Sequence, residues 1–117
     1  MGDIRGIYES GSPQLRGKFL SKLKWLAQLG VTQWGLPTFR ELHDECAGLG
    51  EMRFKADGVQ QRPLGFRSGP EEFTLLFWAT EKSNRFVPRD ACRIALERRD
   101  DVIAGRNLTD ALWLALE

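Results

Sequence analysis

The chain has a single histidine, His43, and a single tyrosine, Tyr8, among its 117 residues. A metal centre built on several imidazoles is therefore excluded, and no cofactor or metal is expected. There are only two cysteines, Cys46 and Cys92, far apart and without ligand spacing to their neighbours. Both are expected as thiols of a reducing compartment rather than as a disulfide scaffold. No apolar run approaches the roughly 20 residues needed to cross a bilayer. Gly2-Asp3-Ile4-Arg5 does not open like a secretory signal, so the expectation is a cytoplasmic protein with no membrane contact. An excess of either charge is also missing: 17 Lys and Arg face 16 Asp and Glu, a net +1. Any contact with nucleic acid must then come from a local patch. Gly11, Gly65 and Gly69 do not follow a strand and open a helix at the spacing that cradles phosphate, so nucleotide binding is unsupported. Internal repeats, low-complexity tracts and Pro/Ser-rich linkers are absent, which makes residues 1–117 one domain, with 106–117 as a tail segment.

What is present reads as a mixture of helices and antiparallel strands. Ile4-Arg5-Gly6-Ile7-Tyr8-Glu9 alternates like a short strand, broken by Ser10-Gly11-Ser12-Pro13. From Ser12-Pro13, the apolar residues Leu15, Phe19, Leu20, Leu23, Leu26 and Ala27 recur at helical spacing to about Gly30, with Arg16, Lys18, Lys22 and Lys24 over the remaining surface. Pro37 opens a short helical piece through Phe39–His43. Strands are predicted at about Gly50 to Ala56, Val59 to Phe66 and Glu72 to Ala79, the last the most apolar and so central. Asp57-Gly58 supplies a tight turn between the first two. Pro88 starts a final helix that stops near Gly105. Ala111–Leu116 is a short apolar segment that needs a surface to pack on, either the domain or a second copy in a homodimer. The fold class is α+β, with helices on one face of a small antiparallel sheet.

The stretch from Leu49 to Pro88 carries the candidate chemistry. Arg53 and Lys55 are two apart in a strand and so share a face, with Met52 and Phe54 on the other, and Arg62 lies in the neighbouring strand. The simplest account of these residues is a solvated basic sheet face. Lys82 and Arg85 fall in a loop, where exposed basic residues are common. His43 beside Asp44 and Glu45 reads as a helix surface. Trp25 and Trp78 fall on apolar faces and read as core, Trp34 is a surface candidate for base stacking, and Trp113 belongs to the tail.

Gly48-Leu49-Gly50-Glu51-Met52-Arg53-Phe54, Arg62 in the next strand, Phe73 to Phe77, and Glu81-Lys82 with Pro88 before a basic helix resemble the RelE/ParE toxin superfamily. Within it they are similar to the phage-derived, HigB-like branch. Tyr8-Glu9-Ser10-Gly11-Ser12-Pro13 before a leucine-rich helix fits the same group. The resemblance implies a RelE-like small antiparallel sheet with N-terminal helices and a C-terminal helix. It also implies a toxin of a type II toxin–antitoxin system that cuts messenger RNA on the ribosome, neutralised by an antitoxin such as a helix-turn-helix protein.

Arg53 and Arg62 match the family's strand arginines and Lys82 a lysine after the penultimate strand, with Lys55 and Arg85 as nearby basic positions. On this reading Arg53, Lys55 and Arg62 are catalytic and Lys82 and Arg85 bind RNA. Guanidinium groups would stabilise charge growing on a phosphate attacked by the adjacent ribose 2′-hydroxyl, and Lys55, crowded by the two arginines, would accept the proton. The family's carboxyl-terminal tyrosine or histidine has no counterpart here, and Glu81 stands beside the proposed site. Both departures favour the alternative, a non-catalytic RelE/ParE-fold binding protein such as a gyrase inhibitor or a diverged phage-derived protein.

Overall fold

The computed structural model describes residues 2–30, 33–70 and 72–105. The chain opens with helix α1 (Ile4–Ser10) and helix α2 (Pro13–Gln28). The alternation of Ile4–Glu9 is therefore not a strand. In so short a segment Ile4, Ile7 and Tyr8 satisfy helical spacing equally well, and the Asp3 carboxylate settles the matter by accepting from Gly6 N at 2.9 Å as an N-cap. Ser12 caps α2 in the same way, accepting from Leu15 N at 3.0 Å, with Pro13 in the first turn.

Six strands follow in one sheet: β1 (Phe39–Glu41), β2 (Gly50–Met52), β3 (Phe54–Ala56), β4 (Val59–Gly69), β5 (Glu72–Lys82) and β6 (Arg85–Val87). Helix α3 (Ala91–Ile103) ends the described chain. All pairings are antiparallel, in the order β1-β2-β4-β5-β6, with β3 also on β4. Phe39–Glu41 is thus a strand where a helical piece was expected, because it pairs with β2 and lays the Phe39 ring over Gly50. A Cβ built on Gly50 would come within 2.2 Å of that ring. The connection after it holds a 3₁₀ turn, Asp44–Cys46. The long strand expected from Gly50 to Ala56 is split at Arg53, whose backbone N–H turns to Thr38 O at 2.8 Å. β4 and β5 each run three residues past their expected ends, and Lys82 and Arg85 form the last pair of a β5–β6 hairpin rather than lying in a loop.

A bulge sets the two faces of the sheet. Leu64 pairs with Phe77 but Gly65 with Leu75, so Leu76 is the extra residue and turns with Phe77 toward α3. On that face Leu64, Phe66, Leu76, Phe77 and Ala79 pack on Ala91, Cys92 and Ala95. On the opposite face Met52, Phe54, Ala56 and Trp78 pack on Ile4, Leu15, Phe19 and Leu26. Phe19 is fully buried, with its ring 4.7 Å from that of Trp78. Helices thus cover both faces rather than one, because the bulge and the pleat give each face its own apolar set. Trp78 fills the core as expected. Trp25 does not: it is 54% exposed. Trp34 is half-buried among Phe39 and Phe73, its ring 5.2 Å from each. Trp113 and the segment Ala111–Leu116 lie outside the described residues. No described helix is long and apolar enough to cross a membrane.

Cys46 and Cys92 form a disulfide, against the expectation of two thiols, because the fold sets the connection between β1 and β2 against the first turn of α3 with the two Cα atoms 5.3 Å apart. Closing so long a loop restricts the unfolded chain, an effect of about 2–4 kcal/mol. Urea unfolding with and without dithiothreitol should show a loss of that size. Overlapping curves would show that the cross-link contributes nothing.

Candidate functional site

The centre of the site is a buried carboxylate. Glu51 is only 1% exposed, and the sheet register surrounds it with arginines. Arg40 is its direct partner on β1, with Nε at 3.6 Å. Arg53, two residues on, donates to Oε2 from Nη1. Arg62, two residues from Glu51's β4 partner Leu64, brings Nε to 3.9 Å. An isolated buried carboxylate is prohibitively costly, so this clustering is what allows Glu51 to be there. Among the described residues, no group donates to its Oε1.

Arg62 is enclosed in turn, its side chain 4% exposed. Its Nε donates to Glu81 Oε1 at 2.9 Å, Nη1 to Gln61 O at 2.8 Å and Nη2 to Gln60 Oε1 at 3.3 Å. Those bonds fix Glu81 beside Glu51, and they leave Arg62 turned to the protein rather than to solvent. Arg53 differs, with a side chain 25% exposed.

Of the depressions around this network, three are lined by the basic residues singled out from the sequence. A cavity is lined by Arg40, Glu51, Arg53, Glu81, Asn84, Arg85 and Phe86. A groove between α2 and the sheet edge is lined by Lys18, Ser21, Lys22, Pro37, Thr38, Arg53, Phe54 and Lys55. A third hollow, on the hairpin, is lined by Lys82, Ser83, Arg85, Phe86, Val87 and Arg89. Arg53 belongs to the first and second, and Arg85 to the first and third. The hairpin is tight because Ser83 and Asn84 both adopt positive φ, 54° and 62°, which turns the chain within two residues.

The residues singled out from the sequence are therefore distributed. Arg53 and Arg62 share Glu51, as neighbouring strands allow. Lys55 is exposed opposite Gln60 and lines the groove with Lys18 and Lys22, not the cavity, so the crowding expected from Arg62 does not arise. Lys82 and Arg85 stand on the hairpin. His43 is exposed at the 3₁₀ turn and Tyr8 packs on Phe19, 5.8 Å between ring centroids, so neither faces the cavity. Sequence reasoning missed Arg40, Glu51 and Asn84 as site residues, and Lys18 and Lys22 as well. The i, i+4 spacing of Lys18 and Lys22 was a visible signal; the burial of Glu51 had none. Compared with known protein families, curated proteins and solved structures, the chain matches none of them.

Proposed function

We propose that this chain is the toxin of a type II toxin–antitoxin pair and acts as a ribosome-dependent endoribonuclease on messenger RNA. The observation that supports the reading is the run of depressions joined through Arg53 and Arg85. It sets Lys18, Lys22, Lys55, Arg53, Arg40, Arg85, Lys82 and Arg89 along one path, on a chain whose net charge is only +1. A polyanion has a defined track here and little general attraction elsewhere.

In this reading the ribose 2′-oxygen attacks the adjacent phosphorus and the 5′-oxygen leaves with its electron pair, taking a proton from water. Arg53, partly exposed at the junction, stabilises the charge growing on the phosphoryl oxygens. Glu81, held by Arg62 Nε, accepts the 2′-hydroxyl proton, and the Lys55 ammonium beside Arg53 pairs with a neighbouring phosphate. Arg62 acts by position, fixing Glu51 and Glu81, rather than by touching phosphate. The antitoxin and the ribosome are the partners this reading requires.

The second reading, a non-catalytic binding protein on the same fold, is favoured by that enclosure of Arg62, which withholds one of the two strand arginines from substrate. Induced expression in a bacterial host separates the two. Growth arrest with new messenger 5′ ends that vanish in Arg53→Ala is the expected result. Arrest with a DNA-damage response and intact messages would favour a gyrase-type binder, and normal growth would remove both toxin readings.

A further inference from the structure

We propose that the groove between α2 and β3 binds the backbone of single-stranded RNA and that Trp25 stacks on one of its bases, a role that deepens the nuclease reading and rests on it for the identity of the natural strand. Four cations line the groove, Lys18, Lys22, Arg53 and Lys55, with no carboxylate among the lining residues. Of these only Arg53 has an acidic partner; Lys18, Lys22 and Lys55 make no ion pair or side-chain hydrogen bond among the described residues. Like charges gathered without counter-charge are unfavourable in the unbound protein, and a polyanion relieves that.

What lies along the helix points to the occupant. Lys18, Lys22 and Trp25 stand at i, i+4 and i+7, hence on one face of α2. Trp25, 54% exposed, continues the basic stripe by one turn. A large ring left in water beside a row of ammonium groups is the combination that holds single strands, phosphates on the cations and a base on the aromatic face. The Ser21 and Thr38 hydroxyls add donors to the same groove. An acidic peptide would use the cations but would need apolar pockets for its anchors, and the apolar ring in the groove, Phe54, is already buried in the core. Arg53 continues the path into the cavity, so a strand seated here delivers its next phosphates to the proposed cleavage position.

The test is fluorescence anisotropy with a labelled 2′-O-methyl oligonucleotide, which cannot be cut because its 2′-oxygen carries no proton. Lys18→Gln/Lys22→Gln removes both charges and keeps a polar, helix-compatible side chain. It should weaken binding about tenfold at low salt and reduce the slope of log affinity against log salt by about 1.4, roughly 0.7 per phosphate contact. Trp25→Ala should weaken binding about tenfold with the slope unchanged. A charge-matched control, Arg5→Gln/Lys24→Gln, should bind like wild type. The proposal is overturned if the groove variants follow the control, if wild type does not bind the oligonucleotide, or if a polyglutamate peptide binds more tightly than the RNA. Binding of the uncuttable strand without cleavage of messenger RNA on ribosomes would keep the groove and remove the nuclease. Cleavage indifferent to Lys18, Lys22 and Trp25 would do the reverse.

Discussion

Arg62→Ala is expected to cost about 3–5 kcal/mol of folding free energy, the range for removing one member of a buried ion network. The side chain is 4% exposed and bridges Glu51 and Glu81. Without it Glu51, at 1% exposure, keeps Arg53 and Arg40 on one side only, and Gln60 Oε1 and Gln61 O each lose a donor. Against a typical total of about 5–15 kcal/mol such a loss leaves a marginal fold. Equilibrium urea unfolding of Arg62→Ala measures it directly. A loss below about 1 kcal/mol would show that water replaces the guanidinium and that the network is not a structural necessity. Glu51→Leu/Arg62→Met, which removes both charges and keeps volume, should recover much of the stability. A loss of toxicity in Arg62→Ala would then report unfolding before it reported chemistry.

Arg53→Ala is expected to behave in the opposite way, losing cleavage by about 100–1000-fold while the fold survives. The rate effect corresponds to roughly 2.7–4 kcal/mol, the scale for removing one donor to a developing oxyanion. The stability effect should be about 1–3 kcal/mol, because buried Glu51 loses the Arg53 hydrogen bond but keeps the longer ion pairs to Arg40 and Arg62. The measurement is single-turnover cleavage of messenger RNA on ribosomes, with thermal unfolding of the same sample. A fall in the cleavage rate at saturating ribosome, with little change in half-saturation, would place Arg53 on the transition state. Unchanged cleavage would take the phosphate-stabilising role from it.

The contrast between the two arginines was not legible in the sequence. Both read as basic residues of neighbouring strands, and that they approach each other follows from strand pairing. Which one is enclosed depends on the register of β2 on β4, on the Leu76 bulge that aligns Glu81 with Gln60, and on the strand break at Arg53. Glu51 followed the same course. In a row reading Glu-Met-Arg-Phe-Lys it has the appearance of one more surface charge, and only its cross-strand neighbours make it a buried centre.

Local signals were decisive where one residue type has one physical use. Ser12-Pro13 fixed the start of α2, Asp57-Gly58 the β3–β4 turn, and the apolar run Phe73–Trp78 the strand β5, although β4 rather than β5 is the central strand. They misled where the segment was too short for its period to be read, as in α1, or where pairing outweighed local preference, as in β1.

The sequence by itself determined the α+β class, the leucine-rich helix, the long β4–β5 pair and a local concentration of basic residues, because these rest on periodicity, capping and turn chemistry between near neighbours. Tertiary structure alone decided that Cys46 meets Cys92, that Arg62 is buried and Arg53 is not, and that Lys18 and Lys22 join Lys55 in one groove. Each of these depends on where distant segments of the chain meet, and contact between residues remote in sequence leaves no mark on the residues nearby.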